Sequence, residues 1–121
     1  MEKQKSQLLS NLKKATIEMF LLKLLSEEDM YGYQLSQELK KRSDGKYTIL
    51  EGSMYPILYR LSDQNYISFY EKKAGKRQTR VYYHLEPTGL DYFEQLKHSY
   101  FDYTDLIAFL LVSKTGDVYE K

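Results

Sequence analysis

Residues 16–25, TIEMFLLKLL, constrain the fold more than any other stretch of this sequence. Their apolar side chains recur at helical spacing, yet they spread around much of the helix circumference instead of forming one narrow stripe. Such a helix is stable in water only if other elements cover it on more than one side. The pattern therefore predicts a helix that begins near Ser6, ends near Ser26 and is covered on more than one side.

Length and composition exclude several classes of protein. The chain has 121 residues, which suits one domain with a modest core, and it has no cysteine. The lack of cysteine excludes disulfides, thiolate catalysis and cysteine-based zinc sites. The N-terminus is polar and charged, without the apolar segment of a secretion signal, and no apolar run approaches the length of a membrane span. We therefore expect a cytoplasmic protein that has no membrane partner.

Charge is distributed unevenly along the chain. Residues 31–86 carry ten Lys or Arg and six Asp or Glu, a net charge of +4, whereas residues 87–121 carry three and six, a net charge of −3. This distribution favours a central module that faces an anion, with flanks that have another role.

The order of the predicted elements is that of a winged helix-turn-helix. After the first helix, residues 31–42 predict a second helix that stops at Asp44-Gly45, and residues 46–50 predict a short strand. Residues 51–64 predict a third helix, and residues 66–73 and 79–85 alternate as the strands of a hairpin. We expect a mostly α fold with a small β-hairpin, a DNA-binding domain over residues 1–86 and a C-terminal dimerisation helix over residues 87–114.

The third predicted helix has an apolar back and a polar front. In a winged helix-turn-helix this helix enters the major groove of DNA, and the hairpin contacts the backbone or the minor groove. The residues predicted to bind DNA are Ser53, Tyr55, Pro56, Tyr59 and Arg60 on the helix, and Lys76, Arg77 and Arg80 on the hairpin. Two alternatives stay open: an ion pair of Arg60 with Asp63 in the same helix, and simple packing of Tyr55 against the hairpin.

The last predicted helix starts at Pro87 and carries an apolar seam for nearly three heptads. A helix of this length is longer than so small a domain needs, so we expect the seam to pair with a partner. Gly116 breaks the pattern. The seam residues are Leu90, Phe93, Leu96, Tyr100, Tyr103, Ile107 and Leu110.

Three motifs resemble the PadR-type transcriptional regulators: MYGYQLSQEL, LEGSMYPILYRL and RVYYHLEPTG. The resemblance covers about residues 8–90 and is closest to the branch with a single long tail helix. It implies a homodimer in which the tail helix packs on the partner's first helix, where Leu9, Leu12 and Met19 lie. It also places Tyr33 on the DNA side, beside Tyr55 and Pro56, and identifies Tyr82 and Tyr83 as the hairpin pair.

The resemblance further implies a site for small molecules. Ligands tune repression in several members, and in the multidrug-sensing ones flat aromatic compounds bind at the dimer centre. The corresponding residues here are Tyr100, Phe101 and Tyr103, with Phe20 or Leu21 opposite. Dimer packing alone is the alternative explanation of this aromatic stripe.

We therefore expect a homodimeric repressor that binds a pseudo-palindromic operator in double-stranded DNA and is released by an aromatic effector. No constellation of residues indicates an enzyme or a cofactor, and His84 and His98 lie on different elements without the ligands of a metal site. The alternatives are a winged-helix module that binds another protein, and a small-molecule sensor without a role on DNA.

Overall fold

The computed structural model describes residues 2–120 and, within them, the side chains of residues 7, 8, 12, 13 and 16–120. Across this range the fold is mostly α, with a small antiparallel sheet, as predicted. The elements in chain order are α1 (Glu2–Leu25), β1 (Met30–Tyr31), α2 (Gly32–Arg42), α3 (Glu51–Asp63), β2 (Ile67–Lys73), β3 (Thr79–Leu85) and α4 (Pro87–Val112).

The second half of α1 is the centre of the core. Leu21, Leu22, Leu24 and Leu25 are between 0% and 3% exposed. Packed in the same cluster are side chains from each of the other described helices and from the sheet, among them Leu35, Leu58, Ile67 and Phe93. This arrangement confirms that the helix is covered on more than one side. It ends at Leu25 as expected but begins at Glu2, upstream of Ser6.

The sheet contains a strand that the sequence does not reveal. β1 is two residues long and pairs antiparallel with β3, Met30 opposite Tyr83 and Tyr31 opposite Tyr82, so the strand order is β1-β3-β2. The prediction of a strand at residues 46–50 is wrong, since these residues form irregular structure before α3. The free edge of β3 recruits the segment after α1 instead.

The first turns of α4 are fixed to the turn that precedes β2. The Thr88 hydroxyl donates a hydrogen bond to the Asn65 carbonyl at 2.6 Å, and Tyr92 stacks on Tyr66 with parallel rings 4.2 Å apart. Gly89 lies so close to the Tyr66 carbonyl that a Cβ atom has no room there. The base of α4 is therefore part of the domain, not an appendage to it.

This anchoring corrects one predicted seam residue. Phe93 is 4% exposed and belongs to the protomer core, so it is unavailable to a partner. The rest of α4 behaves differently: Phe101, Tyr103, Leu110 and Leu111 are between 62% and 81% exposed. The apolar period of α4 thus serves the core in its first turns and the surface afterwards.

In residues 2–120, the structure contains no helix long and apolar enough to cross a membrane.

We expect Gly89→Ala to lower the free energy of unfolding by about 1–3 kcal/mol or more, because its methyl group collides with a backbone carbonyl that cannot rotate away. Urea unfolding followed by circular dichroism measures this loss. Gly52→Ala is the matched control. Nothing lies within 4 Å of the Cβ position there, and alanine favours the helix by about 0.5–1 kcal/mol. Equal stability of the two variants would contradict the close packing at Gly89.

Candidate nucleic-acid interface

The front of α3 is exposed because its back is fully buried. Met54, Leu58 and Leu61 are 0% exposed and hold the helix on the core. The opposite side of α3, which we call the α3 front, therefore faces solvent as predicted. It consists of Ser53, Tyr55, Pro56 and Tyr59, all of which are exposed.

Pro56 lies inside α3 without ending it. Proline has no N–H to donate, so the carbonyl of Gly52 loses its usual helical partner. This loss falls in the exposed first turn of the helix, where solvent satisfies the carbonyl at little cost.

Tyr55 packs on the start of α2. Its ring and hydroxyl lie directly over Gly32, which has no side chain to obstruct them. Tyr55 and Tyr83 also line a groove of about 290 Å³ between α3 and the hairpin. Burial, together with the nearby Glu51 carboxylate, raises the pKa of Tyr55. The hydroxyl, protonated at neutral pH as in any tyrosine, can donate a hydrogen bond. Tyr55 still has 41% of its surface exposed, so packing and access to a ligand coexist.

Tyr33 lies close to this region, in the first turn of α2, and is 56% exposed.

Arg60 is paired with a carboxylate of another helix. Its Nη2 donates to Glu18 Oε2 of α1 at 2.9 Å, so the alternative of an ion pair with Asp63 is not observed among the described contacts. Glu18 Oε1 accepts a second hydrogen bond, from the Tyr92 hydroxyl of α4 at 2.7 Å. Burial and this hydrogen bond to a carboxylate raise the pKa of Tyr92 to about 12. Arg60 thus connects α3 to α1 and, through Glu18, to α4.

The hairpin ends in a basic tip. Gly75 adopts φ 96°, which glycine tolerates, and the Ala74 N–H donates to the Gln78 carbonyl at 2.8 Å to close the turn. Lys76 and Arg77 are exposed and make no ion pair with any described residue. Two unneutralised cations are therefore available at the tip.

Arg80 lies on the face of the sheet that points away from α3. Its guanidinium carbon is 4.4 Å from the centre of the Tyr31 ring, in a cation–π contact. Tyr82 is on the same face and stacks against Tyr70 with ring centres 5.7 Å apart. Because side chains alternate along a strand, Tyr83 points the other way, into the groove beside α3. The hairpin pair named by the resemblance is thus divided between two faces.

One cluster was not found from the sequence. Asp29, just before β1, accepts a hydrogen bond from the Tyr70 hydroxyl at 2.7 Å and lies 2.8 Å from His84 Nδ1. Burial raises the pKa of Asp29, but the hydrogen bonds from His84 and Tyr70 outweigh it and the net pKa is lowered. These contacts fix the hairpin to the connection between α1 and α2. No local signal marks them, because Asp29 and His84 are far apart in sequence.

Among the ring contacts of the described residues, none joins Phe20 to the predicted aromatic residues of α4. Phe20 packs edge-on against Tyr47 at 5.0 Å and lines a cavity of about 320 Å³ between α1 and α2. Phe101 and Tyr103 lie exposed on α4, and Tyr100 is half-buried there.

We expect Gly32→Ala to displace the Tyr55 ring and to lower the free energy of unfolding by about 1 kcal/mol, because the new methyl group occupies the space of the ring. In a Tyr55→Ala background the same substitution should cost little, since the obstacle is gone. Urea unfolding of the four proteins gives the coupling between the two sites. An equal cost in both backgrounds would show that the two residues do not interact.

Comparison with known proteins confirms the resemblance to PadR-type regulators that three motifs of the sequence indicate. The model of the "Transcriptional regulator PadR-like family" matches residues 21–95. A crystal structure of a PadR-like transcriptional regulator from Bacillus cereus is 31% identical, covering 86% of this chain and 99% of that chain with a TM-score of 0.72. A PadR family regulator from Eggerthella lenta is 25% identical, covering 93% and 96% with a TM-score of 0.83.

A third structure contains DNA. It is Bacillus subtilis PadR in complex with operator DNA, 17% identical over 88% of this chain and 54% of that chain, with a TM-score of 0.61. At this identity it shows the shared fold alone. The match over residues 21–95 covers most of the chain and includes both α3 and the hairpin. The chain belongs to the PadR-like family, which is a family of transcriptional regulators and not of enzymes.

Proposed function

We propose that the protein is a cytoplasmic, homodimeric repressor that binds a pseudo-palindromic operator in double-stranded DNA. One observation carries the DNA-binding part of this proposal: the exposed α3 front lies beside a hairpin whose tip has two cations without described acidic partners. A polar helix face suits the major groove, and a basic tip suits the phosphate backbone.

Each part of this surface has a chemistry suited to DNA. The hydroxyls of Ser53, Tyr55 and Tyr59 can hydrogen-bond phosphate oxygens or base edges, and Pro56 offers an apolar contact to a thymine methyl. Lys76 and Arg77 supply phosphate contacts that make binding dependent on salt. Tyr33 approaches the same side from the start of α2. Arg80, in contact with the Tyr31 ring, contributes positive charge to the outer face of the hairpin.

The dimer is proposed from the exposed half of α4. Tyr103, Ile107 and Leu110 are between 39% and 64% exposed at seam spacing, and Leu12 on α1 is 68% exposed. A continuous apolar stripe of this kind marks a surface for association. A second copy related by a two-fold axis covers the stripe and presents two α3 helices to DNA. The proposed interface comprises Leu12, Met19, Leu90, Leu96, Tyr100, Tyr103, Ile107 and Leu110; the predicted Leu9 lies outside the described side chains.

An effector completes the proposal. The resemblance to multidrug-sensing members supports a flat aromatic compound that binds between the two α4 helices, against Tyr100, Phe101 and Tyr103. Such a compound releases DNA only to the extent that it binds the two dimer geometries with different free energies. Phe20 lies on α1, where it packs on Tyr47. It would join this site only if α1 of one protomer packed against α4 of the other.

The DNA-binding prediction concerns the hairpin tip. We expect Lys76→Ala/Arg77→Ala to weaken binding to all DNA sequences and to reduce the slope of log affinity against log salt by about 2, because two phosphate contacts are lost. Fluorescence anisotropy with a fragment of the upstream region of the gene, at several salt concentrations, measures both quantities.

The control removes the same charge elsewhere. Lys97→Ala/Lys114→Ala changes two lysines at α4 or just after it, away from the hairpin, and should leave the slope as in the native protein. If the hairpin variant and this control bound DNA alike, the proposed role of the tip would be wrong. Binding of the native protein that did not weaken with salt would favour a protein-binding module instead.

The dimer prediction concerns Ile107. We expect the native protein to sediment as a dimer at micromolar concentration and Ile107→Asp to sediment as a monomer, because a buried carboxylate in the seam has no partner. His98→Asp adds a carboxylate to an exposed position on the opposite side of α4 and should leave the dimer intact. A native monomer at this concentration would exclude the proposed interface.

A further inference from the structure

Glu18 joins three helices through its two carboxylate oxygens. Oε2 accepts a hydrogen bond from Arg60 of α3 at 2.9 Å, and Oε1 accepts one from Tyr92 of α4 at 2.7 Å. The side chain of Glu18 is 20% exposed, whereas that of Arg60 is 54% exposed. The acceptor is therefore largely enclosed by protein, and the cation that it binds is open to solvent.

The contact with Tyr92 is the fixed half of this arrangement. The Tyr92 ring stacks on Tyr66 with an interplanar angle of 1° and precedes the buried Phe93 in α4. Burial and the hydrogen bond to Glu18 raise its pKa to about 12. The hydrogen bond from Tyr92 to Glu18 Oε1 does not involve the oxygen that binds Arg60.

The contact with Arg60 is the exchangeable half. Among the described residues, Arg60 uses only Nη2, so its other N–H groups can bind a further acceptor. An ion pair with so exposed a cation contributes little to stability. A phosphate is an attractive alternative acceptor, because it accepts two parallel hydrogen bonds from a guanidinium.

Arg60 is also within reach of DNA placed on the α3 front. It follows Pro56 by one helical turn, so the two side chains lie on the same side of α3. A guanidinium on a long, flexible side chain can move from the flank of the helix to a phosphate that passes beside it.

We propose that Glu18 is a positioning residue that competes with a DNA phosphate for Arg60. In the free protein Glu18 holds the guanidinium against α1. When DNA binds, Arg60 transfers to a phosphate, and Glu18 keeps its hydrogen bond from Tyr92. The inference rests on the proposed function, and it adds one phosphate contact that contributes to the affinity for DNA of every sequence.

Two other roles of the pair make different predictions. If the pair were a strut that orients α3, its loss would weaken DNA binding and leave the salt slope unchanged. If Glu18 only repelled DNA through its charge, its neutralisation would tighten binding whether or not Arg60 was present.

The test is a double-mutant cycle with Glu18→Gln and Arg60→Gln, measured by anisotropy with upstream and unrelated DNA across a range of salt. Glutamine at position 18 removes the charge but keeps an oxygen for Tyr92. We expect Glu18→Gln to tighten binding about two- to fivefold on both DNAs. Arg60→Gln should reduce the salt slope by about 1, and in that background Glu18→Gln should have little further effect.

Three results would overturn the inference. These are weaker binding by Glu18→Gln, equal tightening in the presence and absence of Arg60, or an unchanged salt slope in Arg60→Gln. If Glu18→Gln does not fold, the salt slope of Arg60→Gln still tests the inference, because Arg60 is exposed and its substitution leaves the core intact.

Glu94→Gln, which removes a carboxylate from an exposed position of α4, is the control for long-range charge. A native protein that does not bind DNA in a salt-dependent way would overturn the proposed function and this inference together, whereas normal native binding with a failed cycle would overturn the inference alone.

Discussion

Burial of the leucines at the end of α1 is the interaction on which the other elements depend. Leu21 and Leu22 are 0% exposed, and Leu24 and Leu25 nearly so. Each buried leucine contributes about 1.5–3 kcal/mol of burial free energy to stability. This stretch is therefore the main apolar surface against which α2, α3 and α4 pack. Because α3 covers these leucines with Met54, Leu58 and Leu61, the opposite side of α3 faces solvent. The exposure of the α3 front is thus a consequence of core packing, because the buried residues of α3 determine which of its side chains remain available to bind a partner.

The predictable part of the fold is the part with a strong local period. α2 and α4 were placed within a residue of their observed starts, and the hairpin strands lie where alternation indicated them. β1 could not be predicted, because two residues carry no period and the strand exists only where the edge of β3 is available. Contacts between distant segments cannot be predicted either, because no local period of the sequence records them. Local spacing offers Asp63 as one alternative partner of Arg60, but the tertiary structure brings Glu18 of α1 to it.

In the candidate site, too, the solvent-exposed faces are predictable from the sequence, whereas the contacts of individual side chains are not. The sequence identified the side of α3 and the end of the hairpin that face solvent, because both follow from helix or strand geometry. It did not separate the roles of residues on one face. The apolar period of α4 includes Phe93 in the seam, since a period cannot tell where the core ends and a free surface begins. Arg80 and Tyr82 lie on a face of the sheet that only the pairing with β1 defines. Which of these residues contact DNA or a ligand stays a prediction.

The length of α4 has a mechanical consequence. Its 26 residues extend about 39 Å at 1.5 Å per residue, and its first turns are held by Asn65, Tyr66 and Glu18. A tilt of about 10° at that base displaces the far end by about 7 Å over this length. A small rotation of a rigid α4 at its base, beside the residues that support α3, would therefore become a large displacement at its far end. In the proposed dimer, a displacement of several ångströms between the far ends of two α4 helices would correspond to only a small rotation at each base, beside the residues that support α3.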